Sequence, residues 1–583
     1  MRRARCHHLP VIDTASAELK QLAIDYWDQA LAYSPTTATY LGDRRFDHLL
    51  EDRSDESRRA HRSAVGAFRS RTEAVDASEL EGEDSITRTA LIDQTFRDEA
   101  EIDADLEAWS LDPSSGPQAI ALDLEALQPV RTPDEGAVMV ARWRAMGPWF
   151  DQHIDRLRSA AQEGRISVRS PAERTLAQLE GILAQADDDL PLLAPVKEDR
   201  PEWPPAAREE FDSALRDAVR DVVRPALERF RDTIRDEILP IARPDGQPGL
   251  LHVPDGEPAY ESLVRFHTSL SLDPEAIHRI GLEEVARIDD ELRALGGAVV
   301  GTTDLAAIQE RLRSDPALRF TTGDEIRHLA EASLATAQAA VPEWFGLQPI
   351  ADCVVVPMSS HEEEHSTIAY YRQPATDGSR PGQYMINLSQ PTTRPRYEAE
   401  VLAFHESVPG HHLQLAISQE LTDLPDFRRH AGVTAFAEGW GLYTERLSDE
   451  MGLYSGDLDR IGILSFDGWR ACRLVVDTGM HALGWTRQQS IDFMLAHTAL
   501  APNNIANEVD RYITWPGQAL AYKLGQLEIL RLRERAKERL GDAFDIRTFH
   551  DDVLGHGVVS LPTLAAILEE RIREQAGAVS PSR

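Results

Sequence analysis

Four metal-competent side chains crowd into one short segment, HESVPGHH, which begins at residue 405. They are His405, Glu406, His411 and His412. Two histidines one helical turn apart, with a glutamate between them as general base, form the familiar H-E-x-x-H site of zinc hydrolases. This segment departs from that spacing, because His405 and His411 are six residues apart. Its chemistry would be metal-assisted hydrolysis, provided that the chain brings two imidazoles together.

An unbroken helix would keep these histidines apart. At about 100° and 1.5 Å per residue, His405 and His411 point about 120° apart, and His412 lies about 10 Å farther along the face of His405. Pro409 and Gly410 interrupt the helix, because the proline ring clashes with the carbonyl four residues back and glycine accepts unusual dihedrals. Looping out two residues makes His411 the second ligand, which we favour. Looping out three makes His412 the ligand instead.

A third ligand is available farther along the chain, in FAEGWGLYTERLSDEMG. Glu438 and Glu445 are seven residues apart and therefore share one helical face, two turns apart. Glu438 lies in an apolar stretch, where a carboxylate needs a partner, and we expect it to be the ligand. Glu445 is the alternative ligand, or it orients a ligand histidine from behind. The sequence thus predicts one Zn²⁺ per chain, bound by two imidazoles and one carboxylate.

Zinc in this coordination keeps one position open for water, lowers the pKa of that water toward about 7 and polarises the carbonyl under attack. Glu406 would take the proton and pass it to the leaving amine. Two tyrosines downstream, Tyr512 and Tyr522, are candidates to stabilise the negative intermediate. His481 is a further catalytic candidate, because Asp477 lies one helical turn earlier and could fix the imidazole tautomer.

Basic side chains in the same part of the sequence could bind a substrate carboxylate. The planar guanidinium suits this role better than an ammonium group does. The candidates are Arg473, Arg511 and Lys523, together with Arg470. The run HEEEHS (361–366) also contains metal-competent groups, but we interpret it as a solvated loop between two short strands.

Amphipathic helices must position these residues. From Ala17 to about Ala340, charged and aliphatic residues alternate at three- and four-residue spacing, as in FDSALRDAVRDVVRPALERFRDTIRDEIL (211–239). Short β-branched and aromatic runs predict a small sheet at 352–388, and helices resume from Arg396. We therefore expect a mainly α, multi-helix fold. The expected division is an N-terminal tail at 1–16, a helical lobe at 17–350, a zinc-site region at 351–575 and a C-terminal tail at 576–583.

The composition is typical of a folded globular protein of 583 residues, with 42% hydrophobic and 27% charged residues. The 62 Lys+Arg and 98 Asp+Glu residues give a net charge of −36, which argues against nucleic acid and anionic membranes as partners. The three cysteines, Cys6, Cys353 and Cys472, are too few for a disulfide framework. The sequence contains no apolar signal-peptide segment and no long apolar run, so we expect an unexported, cytoplasmic protein.

Four motifs in order resemble the bacterial domain-of-unknown-function family 885: HESVPGHHLQ, FAEGWGLYTE, RLVVDTGMH and RYITWPGQALAYKLGQ. The resemblance extends to SPTTATYLGDRRFDHLL (34–50) and AYYRQPATDGSRPGQYMINL (369–388), and so spans most of the chain. Members of that family are regarded as zinc-dependent peptidases, distantly similar to neurolysin, angiotensin-converting enzyme and the thermostable carboxypeptidases. The resemblance implies a two-lobed helical molecule with a deep channel, a zinc on the channel wall and an edge strand against which substrate lies extended.

The likeness to helical zinc peptidases also carries over to individual residues. It implies that the ligands are His405, His411 and Glu438, and that the base is Glu406. The expected activity is hydrolysis of short peptides, of the carboxypeptidase or oligopeptidase kind, and the expected partner is a short peptide or a small amide. Two alternatives stay open: a zinc amidohydrolase acting on a small non-peptide metabolite, and a metal-free protein that binds a ligand in the channel. The sequence makes no prediction of oligomeric state.

Overall fold

The computed structural model describes residues 14–358, 363, 368–375, 378 and 380–579. Of the HEEEHS run only Glu363 is among them, so the loop expected there lies outside the described residues. The same holds for residues 1–13 and 580–583, which belong to the two expected tails.

Helices occupy most of the first 350 residues, as the apolar spacing predicts. In chain order they are α1 (Thr14–Tyr33), α2 (Pro35–Leu41), α3 (Asp55–Ala74), α4 (Gly82–Ala104), α5 (Pro117–Leu127), α6 (Pro133–Gln162), α7 (Arg169–Ala184), α8 (Ala194–Lys197), α9 (Pro205–Ala218), α10 (Arg224–Thr233), α11 (Gly256–Thr268), α12 (Pro274–Val299), α13 (Leu305–Ser314) and α14 (Gly323–Trp344).

The segment 211–239 is helical throughout, as predicted, but it contains two π-turns, at Val219–Val223 and Ile234–Ile238. Pro225 and Pro240 each follow a π-turn by two residues. In a regular α-helix the ring of a proline would clash with the carbonyl four residues earlier, and that carbonyl lies inside the π-turn. The wider turn makes room for the ring, so the apolar face of the segment stays buried along its length.

The small sheet predicted between residues 352 and 388 is present. Its strands are β1 (Cys353–Pro357), β2 (Ala369–Arg372) and β3 (Gly382–Ile386). Strand β3 lies in the centre, parallel to β1 and antiparallel to β2. The expectation of a mainly α fold with a small sheet is therefore confirmed, whereas the two lobes and the deep channel stay predictions.

Helices resume after the sheet. They are α15 (Ala399–Glu406), α16 (His411–Glu420), α17 (Asp426–His430), α18 (Thr434–Glu450), α19 (Asp457–His481), α20 (Arg487–His497), α21 (Pro502–Thr514), α22 (Ala521–Leu540), α23 (Ile546–Leu554) and α24 (Leu561–Val579). Helix α19 is buried along most of its length, because α12, α20 and α22 all pack against it. None of the helices in the described ranges combines the length and the apolar character that a membrane span requires.

The hydrophobic core consists of several clusters. One joins the sheet to the helices that carry the metal-competent residues, and it includes Phe404 and Trp440. A second fills the region of α5 to α10, around Trp143 and Phe230. A third surrounds α19. The candidate site residues thus lie on helices that are packed on more than one side, which holds them in place.

Helices α18 and α22 cross at two glycines. A Cβ atom on Gly439 would lie 2.5 Å from the Cα atom of Gly525. A Cβ atom on Gly525 would lie 2.0 Å from the carbonyl oxygen of Ala435. The helices therefore touch backbone to backbone, which a larger residue would prevent. Since Gly439 directly follows Glu438, this crossing sets the position of that carboxylate relative to α22.

Replacing Gly525 with alanine is expected to destabilise the protein by about 1–3 kcal/mol, because the new methyl group must displace a backbone carbonyl of α18. Gly181→Ala is the matched control: Gly181 is an exposed residue of α7 with no neighbouring atom within 4 Å of a Cβ. We expect that control to leave stability unchanged or to raise it by up to about 1 kcal/mol. Thermal unfolding followed by circular dichroism measures both. Equal midpoints for the two variants would contradict the backbone contact.

Candidate metal centre

The expected break in the helix falls between α15 and α16. Helix α15 ends at Glu406, Ser407 takes φ −106° and ψ −112°, and α16 begins at His411. Within the break the Val408–Pro409 peptide bond is cis. The amide of His412 donates to the carbonyl oxygen of Ser407 at 3.0 Å, five residues earlier, so the turn is wider than an α-helical one.

Gly410 and Trp440 hold the break in place. A Cβ atom on Gly410 would lie 1.9 Å from the carbonyl oxygen of His405, so a larger residue does not fit there. The indole nitrogen of Trp440 donates to the carbonyl oxygen of Pro409 at 3.0 Å. Trp440 follows Glu438 by two residues on α18. The helix that supplies a carboxylate therefore also secures the break.

The break brings His405, His411 and Glu438 together. The Nε2 atoms of His405 and His411 lie 3.6 and 3.5 Å from Oε2 of Glu438. The three candidate ligand atoms all lie within 4.8 Å of one another. A tetrahedral zinc with bonds of about 2.0–2.2 Å separates its ligand atoms by about 3.3 Å, so the residues fit this metal. The side chain of His405 is 3% exposed and that of Glu438 is 23% exposed, so solvent can reach the cluster from the carboxylate side.

Glu445 orients one of the imidazoles. Its Oε1 atom lies 2.8 Å from Nδ1 of His405, which leaves Nε2 directed at Glu438. The carboxylate of Glu445 is fully buried, and its backbone carbonyl accepts a hydrogen bond from the Tyr454 hydroxyl at 2.9 Å. Of the two roles considered for Glu445, the structure supports the orienting role, because the carboxylate lies behind the imidazole and not among the candidate ligands.

Two packing contacts, one with a helix and one with a ring, also restrict the His405 imidazole. A Cβ atom on Gly441 of α18 would lie 2.7 Å from Cε1 of His405, so the ring packs directly against that helix. The ring of His411 meets it edge to face, with centroids 4.8 Å apart and an angle of 88°. The ring therefore has little freedom to turn away from Glu438.

Charge couples the three groups of the cluster. Burial alone would lower the pKa of His405, but the carboxylates of Glu438 and Glu445 outweigh it and raise that pKa to about 9. Burial alone would raise the pKa of Glu438, but His405 and His411 hold it well below its usual range. Because a metal ion binds the neutral imidazole, it must displace protons from this cluster. The carboxylates thus concentrate negative charge where a cation would bind.

His412 points away from the cluster. Its Nδ1 atom lies 2.9 Å from the hydroxyl of Tyr371 on β2, and its Nε2 atom lies 3.1 Å from the carbonyl oxygen of Ala351. Both ring nitrogens are therefore engaged. The alternative in which His412 is the second ligand is wrong, because His412 binds Tyr371 and Ala351 while His411 lies next to Glu438.

Glu406, Tyr522 and Tyr384 lie beside the cluster. Burial raises the pKa of Glu406, while the charges of the two neighbouring imidazoles oppose that rise. Burial also raises the pKa of the Tyr522 hydroxyl, and the nearby Glu438 carboxylate adds to the rise. Tyr384 on β3 is buried, and the charge of Glu406 contributes to its raised pKa. Sequence reasoning missed Tyr384, because the run GQYMINL indicated only a strand.

Tyr512 is a structural residue. Its side chain is fully buried, and its hydroxyl donates to Oε2 of Glu508 at 2.8 Å. The same hydroxyl accepts from Nε of Arg473 at 2.8 Å and from the indole nitrogen of Trp469 at 3.0 Å. A phenol has one donor and two acceptor positions, and all three are used. The expectation that Tyr512 stabilises a reaction intermediate is therefore wrong, and Tyr522 is left as the tyrosine candidate.

His481 is also structural. Its Nδ1 accepts from the backbone amide of Leu250 at 3.1 Å, and its Nε2 donates to the carbonyl oxygen of Tyr512 at 2.9 Å. Asp477 does not pair with it, since that carboxylate accepts from the Tyr260 hydroxyl at 2.6 Å. The imidazole is buried with both nitrogens satisfied. Its predicted catalytic role, together with the predicted pairing to Asp477, is wrong.

Lys523 cannot bind a substrate carboxylate. Its ammonium group is fully buried and donates to three side chains. They are Asp467 at 2.5 Å, Glu284 at 2.8 Å and Gln526 at 2.8 Å. An ammonium group has three donors, so none is left. The expectation of a substrate-binding role for Lys523 is wrong.

The arginine candidates differ in what they already bind. Arg511 donates to Glu508 and to Gln518, each at 3.0 Å, which makes it part of a structural network. Arg473 donates to Tyr512 and to Glu508, but its Nη1 atom has no partner among the described residues. Both Arg473 and Arg511 were predicted to bind substrate; Arg473 has a donor left for this role, and its substrate binding stays a prediction.

Two of three solved structures similar to this chain share its fold. One, described as "the putative lipoprotein from Colwellia psychrerythraea", is 26% identical with a TM-score of 0.90, and the match covers 96% of this chain and 99% of that one. A second, described as "a putative lipoprotein of unknown function from Shewanella oneidensis", is 19% identical with a TM-score of 0.73, covering 94% and 99%. A third, described as "a putative oligoendopeptidase F from Bacillus anthracis str. Ames", is 13% identical with a TM-score of 0.35, covering 91% and 96%, and this low score carries no argument about activity.

These comparisons contradict the expected cytoplasmic location, because the Colwellia and Shewanella structures are both described as lipoproteins. The expectation rested on the lack of an apolar segment in MRRARCHHLPVIDTASAELK. The lack of an apolar segment was too weak a basis for predicting where the protein is located.

A family comparison completes these findings. No curated protein is significantly similar to the chain. The profile of a family described as "Bacterial protein of unknown function (DUF885)" matches residues 35–568, which is well over half of the chain. All four motifs that carried the resemblance lie inside that range. The chain therefore belongs to the bacterial protein family DUF885.

Proposed function

We propose that this protein is a zinc-dependent hydrolase that cleaves peptide bonds in short peptides. The observation that supports this function is the convergence of His405, His411 and Glu438 around one point, with Glu406 beside them. Two imidazoles and one carboxylate form a typical ligand set of catalytic zinc, in which water takes the fourth position. The orienting contact from Glu445 to His405 is the arrangement that zinc enzymes use to fix a ligand histidine.

The chain's own residues can move the proton and stabilise the charge that hydrolysis requires. When bound, zinc lowers the pKa of a water molecule toward about 7 and polarises the carbonyl under attack. Glu406 would accept the proton of that water and deliver it to the leaving amine, and its raised pKa suits both steps. Tyr522 would donate a hydrogen bond to the developing negative oxygen, because its raised pKa keeps the hydroxyl protonated.

The sheet offers a way to align an extended peptide. Strand β2 is an edge strand, and the hydroxyl of its Tyr371 contacts His412, which directly follows the candidate ligand His411. A peptide can pair with such an edge by backbone hydrogen bonds. A strand edge suits an extended peptide better than a small non-peptide metabolite.

The metal content of purified variants tests the ligand set. We expect about one zinc per chain in wild type, and loss of zinc in His411→Ala and in Glu438→Gln, because each change removes one of only three protein ligands. His412→Gln is the matched control and should retain zinc, since His412 faces Tyr371. Glu445→Gln should weaken zinc affinity by about 10- to 100-fold. Plasma mass spectrometry after dialysis against chelator-free buffer measures the content. Zinc retained in His411→Ala, or lost in His412→Gln, would overturn this assignment.

The role of Glu406 is tested by Glu406→Gln. This variant should keep its zinc but hydrolyse peptides about 10²- to 10⁴-fold more slowly, because an amide cannot accept the proton. Glu331→Gln, a change at a half-exposed surface glutamate of α14, is the control and should have wild-type activity. A library of short peptides, with products identified by mass spectrometry, measures the rates. Cleavage of small amides but of no peptide by wild type would replace the peptidase assignment with an amidohydrolase one, and undiminished activity in Glu406→Gln would remove the base.

A further inference from the structure

Two arginines on α19 keep buried guanidinium nitrogens without a hydrogen-bond partner among the described residues. Arg470 is 5% exposed, and its Nε and Nη1 atoms lack an acceptor. Arg473 is 3% exposed, and its Nη1 atom lacks one. The two residues are three positions apart and lie on the same side of the helix. Buried donors are almost always paired in native proteins, because an unpaired donor costs free energy. An acceptor from outside the chain would form the missing hydrogen bonds.

Aromatic rings hold both guanidiniums in place without neutralising them. Cζ of Arg470 lies 4.4 Å from the ring centroid of Phe466 and 4.5 Å from that of Trp469. Cζ of Arg473 lies 4.4 Å from the centroid of Trp469 and 4.5 Å from that of Tyr522. Trp469 is thus shared by the two cations. Stacked guanidiniums of this kind are pre-oriented for a planar anion, since their rotamers are already restricted.

Arg473 is oriented further by a carboxylate that does not use up its donors. Glu508 accepts from Nη2 of Arg473 at 3.0 Å and also from Arg511 at 3.0 Å. Burial would raise the pKa of Glu508, but Arg511 and Arg473 lower it to about 2, so it stays ionised. Its single charge is shared between two arginines. Nη1 of Arg473 and the Nε and Nη1 atoms of Arg470 thus stay without an acceptor among the described residues.

The arginine pair lies beside the catalytic groups. The Tyr522 ring that neighbours Arg473 is close enough to Glu438 for that carboxylate to act on its hydroxyl. Arg470 lies near the same ring, since its Cζ atom is 5.8 Å from the centroid of Tyr522. Both cations therefore neighbour the tyrosine that we propose as a catalytic group.

We propose that Arg470 and Arg473 bind the C-terminal carboxylate of the substrate, so that this protein removes residues from the free C-terminus of short peptides. The inference rests on the function proposed above and adds the substrate class. Hydrogen bonds from a guanidinium to a carboxylate are charge-assisted and therefore strong, and the donors unpaired among the described residues are Nε and Nη1 of Arg470 and Nη1 of Arg473. In the reaction the peptide C–N bond breaks, the hydroxyl of water joins the carbonyl carbon and its proton goes to the nitrogen. No other reactant is consumed.

Equilibrium binding tests the subsite without requiring turnover. The probes are N-benzoylglycine and its amide, which differ only in the terminal carboxylate, and calorimetry on the purified holoprotein measures both. We expect the carboxylate to bind about 100-fold more tightly than the amide, because charge-assisted hydrogen bonds at a buried site are strong. In Arg470→Met that preference should fall to within about threefold, since methionine fills the space but offers no donor. Arg460→Met, on the same helix but paired at the surface with Asp449, should keep the full preference.

Three further readouts distinguish a carboxylate subsite from a purely structural arginine pair and from recognition by the metal. Arg470→Lys should restore part of the preference, because a lysine keeps the charge but not the fork. Arg470→Met also loses the ring contacts with Phe466 and Trp469, so unfolding midpoints are compared with and without N-benzoylglycine. The ligand should raise the midpoint of wild type but not that of Arg470→Met, whereas a purely structural arginine would leave the rise unchanged. Equal affinity of wild type for acid and amide would overturn the inference, and so would a preference that survives in Arg470→Met, which would assign recognition to the metal instead.

A kinetic measurement separates the subsite from the hydrolytic function. Identical short peptides are offered as free acids and as C-terminal amides, and mass spectrometry identifies the products. Release of the last residue from the acids, with kcat/KM about 100-fold lower for the amides, supports both proposals. Cleavage of acids and amides at equal rates keeps the hydrolase and overturns the carboxylate subsite. An Arg470-dependent preference in calorimetry without any cleavage keeps the subsite and overturns the hydrolase.

Discussion

The chemistry proposed for this protein depends on one interruption in one helix. In an unbroken helix the imidazoles of His405 and His411 would point about 120° apart and could not bind one metal ion together with Glu438. The break between α15 and α16 turns the second imidazole back toward the first. A break of this kind leaves backbone groups that need partners, and here the Ser407 hydroxyl and the Trp440 indole each supply a hydrogen bond to a carbonyl oxygen. The irregular backbone is thus stabilised by its surroundings, so it is a fixed part of the structure.

Helix α18 supplies the remaining groups that face, orient or pack against the two imidazoles. Its Glu438 faces the imidazoles, its Glu445 orients His405 from behind, and its Gly441 lets the His405 ring lie directly against the helix. A buried network of charges connects α18 with its neighbours: Arg446 of α18 and Lys523 of α22 both bind Asp467 of α19. Burial would raise the pKa of Asp467, but these cations keep it well below its usual range. Such a network fixes the mutual placement of three helices, because removing one partner would leave a buried charge unpaired.

Much of the fold could be predicted from the sequence, because apolar spacing determines which segments are helices and where the sheet lies. Site residues close to one another in the chain were also within reach, since HESVPGHH contains both the two imidazoles and the residues that break the helix. The choice between His411 and His412 depended on how many residues are looped out, which the type of residue does not specify. Predictions for Lys523 and His481 were wrong because their partners, Asp467 and Leu250, are distant in sequence. A local pattern shows that a polar side chain is present but not which distant group already satisfies it.

The spacing of the two carboxylates on α18 has a consequence for metal selection. Because Glu438 and Glu445 belong to one helix, a shift of that helix would move the proposed carboxylate ligand and the group that orients the His405 imidazole together. A larger cation would need longer bonds, and lengthening them means moving the whole helix. At Gly439, however, α18 already touches the backbone of α22, so it cannot shift toward α22. Discrimination between ions by size would then come from the contact of two helix backbones, several residues away from any atom that the ion touches.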